Sequence, residues 1–248
     1  MGAVGRCVIG RVRKQNEDSI FISDNAEFNF DYYIVADGMG GHNAGEVASQ
    51  AAIKYFNEYI QTECEINEPA DILDAFVDAV VNSNQKVFEM AKADESFSGM
   101  GTTFTAAAVS DDKLYGVHIG DSRVYVFDKK EGLKQITKDH SFVMEMVRMG
   151  KLTLEEAKVH PKRNVITKAI GIENIMPADT FIETLNKDSI ILVCSDGLTA
   201  MVDDKDIEKV LRKRTGLDRK ADLLVELANK NGGNDNISVI LADRRVDK

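Results

Sequence analysis

Two spacings of apolar residues divide this chain. Over 44–61 the positions Ala44, Val47, Ala48, Ala51, Ala52, Tyr55, Phe56, Tyr59 and Ile60 recur at helical intervals, which predicts a helix with one buried face. A second helix is predicted over 70–93, with Ile72, Leu73, Phe76, Val77, Val80, Val81, Val87 and Phe88 on its stripe. Both stripes read as core faces rather than ligand surfaces. Elsewhere the apolar runs are short and bounded by turn residues, which predicts strands at 4–9, 19–22, 28–36, 102–109, 114–119, 124–127, 133–137, 188–194 and 237–241. Tight turns between several of them indicate antiparallel pairing. Further helices are predicted at 203–214 and 217–231. The stretch 140–171 breaks this rhythm: it is Met-rich and charged, with short helices expected at 142–149 and 153–158 before Pro161 ends the pattern. It reads as a lobe inserted over a single domain spanning 1–248, since no repeat or long linker interrupts the chain.

The polar positions carry a second pattern. Asp37, Asp121, Asp196 and Asp235 each border an apolar strand and have glycine within two residues. One such aspartate is uninformative, because Asp-Gly is an ordinary turn dipeptide. Four are informative, and Asp111, Asp112 and Asp128 sharpen the contrast by sitting in hydrophilic hairpin turns. An apolar strand such as Tyr33-Ile34-Val35-Ala36 has to be buried, so Asp37 emerges at the edge of the core, and the glycines after it let backbone approach whatever the carboxylate holds. If the four converge, two carboxylates ~4 Å apart repel by about 4 kcal/mol at an effective dielectric near 20. Protons or cations must then relieve them. Aspartate oxygens and glycine carbonyls form a hard ligand set, favouring magnesium or manganese over structural zinc.

Charge and cysteine content narrow the setting. The net charge of −10 argues against non-specific binding to nucleic acid or an anionic membrane, while leaving room for a local basic pocket. Cys7, Cys64 and Cys194 are far apart with no CxxC, so a reducing cytoplasm is expected, with Cys194 a small buried hydrophobe that lacks the phosphate loop a cysteine nucleophile needs. No apolar run approaches the ~20 residues that span a bilayer. The N-terminus has no apolar signal region, and Arg6 stands where a myristoylation signal wants serine or threonine.

In order along the chain, Arg13 with Asn16-Glu17-Asp18, Asp37-Gly38-Met39-Gly40-Gly41-His42, Gly99-Met100-Gly101-Thr102-Thr103, Gly120-Asp121-Ser122-Arg123, Ser195-Asp196-Gly197 and Gly233-Asn234-Asp235-Asn236 resemble the motifs of the metal-dependent protein phosphatases of type 2C. The bacterial branch fits best, and the resemblance covers nearly the whole chain. It implies an α+β fold, a four-layer α-β-β-α sandwich of two antiparallel sheets flanked by helix pairs, with the lobe at about 140–171 as a flap. It implies that Asp37 bridges two manganese or magnesium ions and that the Gly38 carbonyl holds one of them. Asp196 and Asp235 would complete that ion's ligands, and Glu17 and Asp18 would act through waters. Asp121 with Asp196 would take a third ion, and Arg13 would grip the substrate phosphate. The catalytic set is then Arg13, Asp37 and Asp196.

The implied activity is hydrolysis of phosphoserine and phosphothreonine in proteins, reversing a bacterial serine/threonine kinase, by a cytoplasmic monomer. Chemistry supports such a site: phosphate monoesters hydrolyse very slowly, a metal centre lowers the pKa of bound water from 15.7 towards ~7, and an arginine fork binds two phosphate oxygens at once. Arg13 without that motif reads as a solvated charge. Met39 occupies the position where animal members carry histidine. His42, three residues on, either donates a proton through water or only orients the glycine turn. His118 reads as structural, and His140 and His160 as exposed at the lobe's edges. The lobe's Arg148, Lys151, Lys158, Lys162, Arg163 and Lys168 either guide phosphoprotein segments or form a solvated face. Two other readings stay open: a non-catalytic sensor that kept the fold, and a phosphatase narrowed to one phosphorylated regulator.

Overall fold

The computed structural model describes residues 2–23, 30–41 and 44–243. The chain opens with β1 (Gly2–Val8), β2 (Asp18–Ile22) and β3 (Asp31–Met39), then α1 (Ala44–Thr62) and α2 (Asp71–Ala93). The short β4 (Gly101–Thr102) precedes β5 (Phe104–Ser110), β6 (Lys113–Ile119), β7 (Arg123–Asp128) and β8 (Gly132–Gln135). Two short helices follow, α3 (Phe142–Arg148) and α4 (Leu154–Val159), then β9 (Asp179–Thr184) and β10 (Ile190–Cys194). The one-turn α5 (Asp196–Thr199), α6 (Asp204–Leu211), α7 (Leu217–Lys230) and β11 (Ile237–Asp243) complete it.

Among the described residues one sheet has the order β1-β11-β10-β7-β8 and the other β2-β3-β5-β6-β9, with β4 added to β3. The pairings are antiparallel. Alternation along each strand builds the layers. On β3, Tyr32, Ile34 and Ala36 pack with Phe56 of α1 and Phe76 of α2, whose rings meet edge-on at 5.1 Å. On β10 and β11, Leu192, Cys194, Val239 and Leu241 pack under Ile207, Ala221 and Leu224 of α6 and α7. Between the sheets lie Tyr33, Val35, Ala107, Val124, Val126, Ile191, Val193 and Ile240. This is the four-layer α-β-β-α sandwich, and truncating a ring such as Phe56 to alanine costs about 3–5 kcal/mol.

The inter-sheet rows place the site. They read Ile22-Ile20 on β2, Tyr33-Val35 on β3, Ile191-Val193 on β10 and Ala242-Ile240 on β11. Two residues further on, each row turns polar, at Asp18, Asp37, Ser195 and Ser238. Register sets Asp18 opposite Asp37. The four rows therefore end at one pole of the sandwich.

The structure departs from the sequence expectations at several points. β3 continues through Asp37 to Met39, and residues 28–29 lie outside the described residues. The run expected at 102–109 is broken at Thr103, which turns aside to bond Asp37. β9 and α5 were not expected: β9 is an edge strand with mostly exposed side chains, and α5 is a single turn. Val81, placed on the buried stripe of α2, is 55% exposed, because the helix turns that position away from the sheet. His140, expected at the surface, is buried at 3% exposure, and His160 is half-buried against Phe142. No helix of the described residues is long and apolar enough to cross a membrane.

Candidate metal centre

At the polar pole, backbone and hydroxyl contacts hold the carboxylates in place. Ser195 Oγ donates to Asp18 Oδ2 at 2.7 Å across the two sheets and accepts from Ser238 N at 3.0 Å. Asp18 Oδ1 is left buried without a partner. Asp37 N donates to Thr103 Oγ1 at 2.9 Å, and Asp37 O accepts from Thr103 N at 2.9 Å and Thr102 Oγ1 at 3.0 Å. Thr103 Oγ1 in turn shares a hydrogen with Ser122 Oγ at 2.9 Å. Gly38 N donates to Glu17 O at 3.1 Å, and a Cβ at Gly38 would run into the carbonyl of Gly45, so α1 can close on this turn only over glycine.

The other carboxylates arrive from loops. Asp196 opens α5 directly after β10. Asp121 lies where the chain crosses from β6 in one sheet to β7 in the other. Asp235 sits before β11, where its Oδ1 accepts from Asn236 N at 2.8 Å and its Oδ2 from Arg13 Nη2 at 2.7 Å. Arg13 Nη1 is also 3.8 Å from Glu17 Oε2. Asn236 clamps the whole 9–17 loop: its Oδ1 accepts from Glu17 N at 2.8 Å, and its Nδ2 donates to Ile9 O at 3.0 Å and Gln15 O at 2.9 Å.

These charges disturb one another. Burial, then the charges of Asp18, Asp196, Asp121 and Asp235, push the Asp37 carboxyl well above the ordinary carboxylate range. Asp18 rises to about 7 through burial and the fields of Asp196 and Asp235, with the hydroxyls of Ser238 and Ser195 opposing. Asp196 rises to about 6 through burial and Asp235, with Arg13 and Arg123 opposing. Asp121 is raised well above its usual range by burial, Asp196 and Asp139, again against Arg123. Glu17 is raised by burial and lowered by Arg13. Asp37, Asp121 and Asp196 nevertheless keep a partly exposed face, so an ion could reach them from solvent.

Among the described residues no three His, Cys, Asp or Glu side chains are gathered tightly enough to wrap an ion by themselves. A closed zinc-type site draws mainly on cysteine and histidine, whereas the side chains gathered here are carboxylates. Magnesium and manganese suit the arrangement better, since hard cations accept backbone carbonyls and retain waters beside one or two carboxylates. The all-oxygen donors, the mutual repulsion and the orphaned Asp18 Oδ1 fit such a cation.

Arg13, Glu17, Asp18, Asp37, Gly38, Asp121, Asp196 and Asp235 thus lie at one pole, although Arg13 faces Asp235 as an ion pair instead of standing free. His42 lies outside the described residues. Lys162 of the lobe sits over the Phe142 ring at 5.0 Å. Sequence reasoning gave no role to Thr103, Asn236, Ser195 or Ser238. The first three stand inside motifs already quoted, and a polar residue in an inter-sheet row was the signal available for the two serines.

The chain is thus an α-β-β-α sandwich with an acidic, all-oxygen pole suited to hard cations at the seam between its sheets. Residues 11–242 match the family model described as protein phosphatase 2C. A serine/threonine phosphatase stp of Listeria monocytogenes is 36% identical over 235 residues, covering 95% of this chain and 92% of that protein. A structure of the S. agalactiae serine/threonine phosphatase superposes with a TM-score of 0.92 at 36% identity, covering 98% of this chain and 99% of that one. The catalytic domain of the serine threonine protein phosphatase PstP in complex with 2 manganese ions gives 0.84 at 34% identity, covering 98% and 97%. The chain belongs to the protein phosphatase 2C family, a family of phosphoprotein phosphatases with this two-sheet α+β fold.

Proposed function

We propose that this chain hydrolyses phosphoserine and phosphothreonine in proteins at a pole holding two manganese or magnesium ions, with a third at Asp121 and Asp196. The observation that carries this reading is the convergence of Asp18, Asp37, Asp121 and Asp196, each raised by burial and by its acidic neighbours. Asp37 would bridge the pair, with the Gly38 carbonyl, Asp196 and Asp235 on one ion and Glu17 and Asp18 acting through waters. Bound divalent ions would supply Lewis acidity towards water and the phosphoryl oxygens. Arg13 would turn its fork from Asp235 to two phosphate oxygens, placing the ester for in-line attack. Thr102 and Thr103 hold the Asp37 backbone during this exchange, and Asn236 holds the loop that carries Arg13 and Glu17.

The two-manganese relative supports the metal identity and number. We further read 1–248 as one catalytic domain with 140–171 as its flap, acting as a cytoplasmic monomer against a serine/threonine kinase, with no nucleic-acid or membrane role. The test is hydrolysis of p-nitrophenyl phosphate and a phosphothreonine peptide with manganese, with EDTA, and in Asp37→Asn and Asp196→Asn. Each substitution is expected to lower activity about 1000-fold, or about 4 kcal/mol. Activity that survives EDTA and both substitutions overturns the reading.

A further inference from the structure

His140 stands where the chain enters the 140–171 segment, and its contacts reach both ends of that segment and the turn before Asp121. Its N–H donates to Gly120 O at 2.7 Å, and its carbonyl accepts from Thr167 N at 2.8 Å. Its Nδ1 accepts from Gly120 N at 3.1 Å. Both backbone polar atoms of Gly120 are therefore held by one residue. Because Nδ1 accepts, the ring proton sits on Nε2, which lies 3.1 Å from Asp179 Oδ2. Asp179 Oδ1 accepts from Lys168 Nζ at 2.9 Å. One face of the ring stacks on His118 at 4.9 Å, and His118 Nδ1 lies 2.9 Å from Thr105 Oγ1.

Gly120 transmits this grip. Its φ of +107° and its closeness to Thr103 leave no room for a side chain, and Thr103 Oγ1 accepts from Asp37 N. A displacement of Gly120 thus reaches Asp121 through the peptide bond and Asp37 through Thr103. The neighbouring residue adds a second brace: Asp139 takes Arg123 Nε at 2.9 Å and Nη2 at 2.7 Å.

We propose that His140 is a positioning residue that ties the base of the 140–171 segment to the Gly120-Asp121 turn and so sets divalent-ion affinity at Asp121 and Asp196. The inference rests on the metal reading above. Two amide variants separate the bonds of the ring, because asparagine places an amide near Nδ1 and glutamine near Nε2. Mn²⁺ binding by titration calorimetry is the readout, with thermal unfolding of the EDTA-treated protein alongside it. His140→Gln, which keeps a group facing Asp179 and loses the acceptor for Gly120, should weaken one Mn²⁺-binding event about 10–100-fold. His140→Asn, which keeps that acceptor, should restore it to within about threefold of the parent. A merely structural histidine would lower unfolding temperature and affinity alike in both variants, and that outcome overturns the proposal. Unchanged binding in His140→Gln overturns it too. Should His140→Gln not fold, Asp179→Asn is expected to weaken the same event about threefold, and no change there is equally decisive. If the parent protein binds no Mn²⁺ at all, the metal reading falls first, so the two failures are distinguishable.

Discussion

The two ends of β7 carry aspartates with opposite fates. At the far end Asp128 Oδ1 accepts from Lys130 N at 2.7 Å and Glu131 N at 3.3 Å, and Oδ2 accepts from Asn186 Nδ2 at 3.2 Å. Those donors, led by Lys130 N, hold its carboxyl below the ordinary range. At the near end Asp121 is desolvated beside Asp196 and Asp139, and its carboxyl is driven up. Both aspartates adjoin a turn after or before the same strand. One charge is answered by N–H groups of its own turn, whereas the other meets more negative charge. An aspartate of the first kind closes a hairpin, and one of the second kind favours a proton or a cation.

The contrast can be broken by substitution. Asp121→Asn is expected to lower phosphatase activity about 100-fold at limiting manganese, whereas Asp128→Asn should stay within about twofold. Equal losses in the two would erase the distinction. The next effect is on stability against pH in EDTA. Asp196 at about 6 and Asp18 at about 7 lie above the unfolded value near 3.9, so their folded forms prefer the proton. Their contribution is full below about pH 4 and is lost as pH rises through 6 to 7. Urea unfolding should show a loss on the order of 2 kcal/mol between pH 5 and pH 8, and saturating manganese should remove it.

Thr103→Val, which keeps shape but deletes the acceptor for Asp37 N, should cost about tenfold in activity. An unchanged rate would show that the Asp37 backbone needs no such support. The smallest effect belongs to Asp128→Asn itself. Its depressed carboxyl contributes stability above the unfolded value and loses it as pH falls through the folded one. A loss of about 1 kcal/mol at pH 7, fading at acidic pH in denaturant titrations, is expected.

The sequence foretold the helices α1 and α2 and most strands because burial imposes a period on them. The candidate ligands were legible for a related reason: Asp37, Asp121, Asp196 and Asp235 interrupt apolar strands beside glycine, and a shared local grammar survives without coordinates. What stayed hidden depends on partners distant in sequence. Asn236 earns its place through bonds to Ile9, Gln15 and Glu17, more than 200 residues away. His140 looked like a polar residue at the edge of a charged lobe, yet its contacts with Gly120, Thr167 and Asp179 bury it. β9 was hidden because an exposed edge strand needs little apolar content. Arg13 was read as a phosphate fork, and only its distance to Asp235 shows which anion occupies that fork now.

The bond from Ser195 Oγ to Asp18 Oδ2 crosses from one sheet to the other. Glu17, Asp18 and Asp37 belong to the β2–β3 side of the seam, and Asp196 and Asp235 to the β10–β11 side. Cations placed among them would rivet the two halves of the sandwich at the pole where Asp18, Asp37, Ser195 and Ser238 end the facing rows. Catalytic competence and mechanical closure of that seam would then be one event. Backbone amides such as Gly38, Ser195 and Ser238 would slow their exchange with solvent deuterium as the ions load, while amides inside the apolar rows, such as those of Tyr33 and Ile191, would keep their rate.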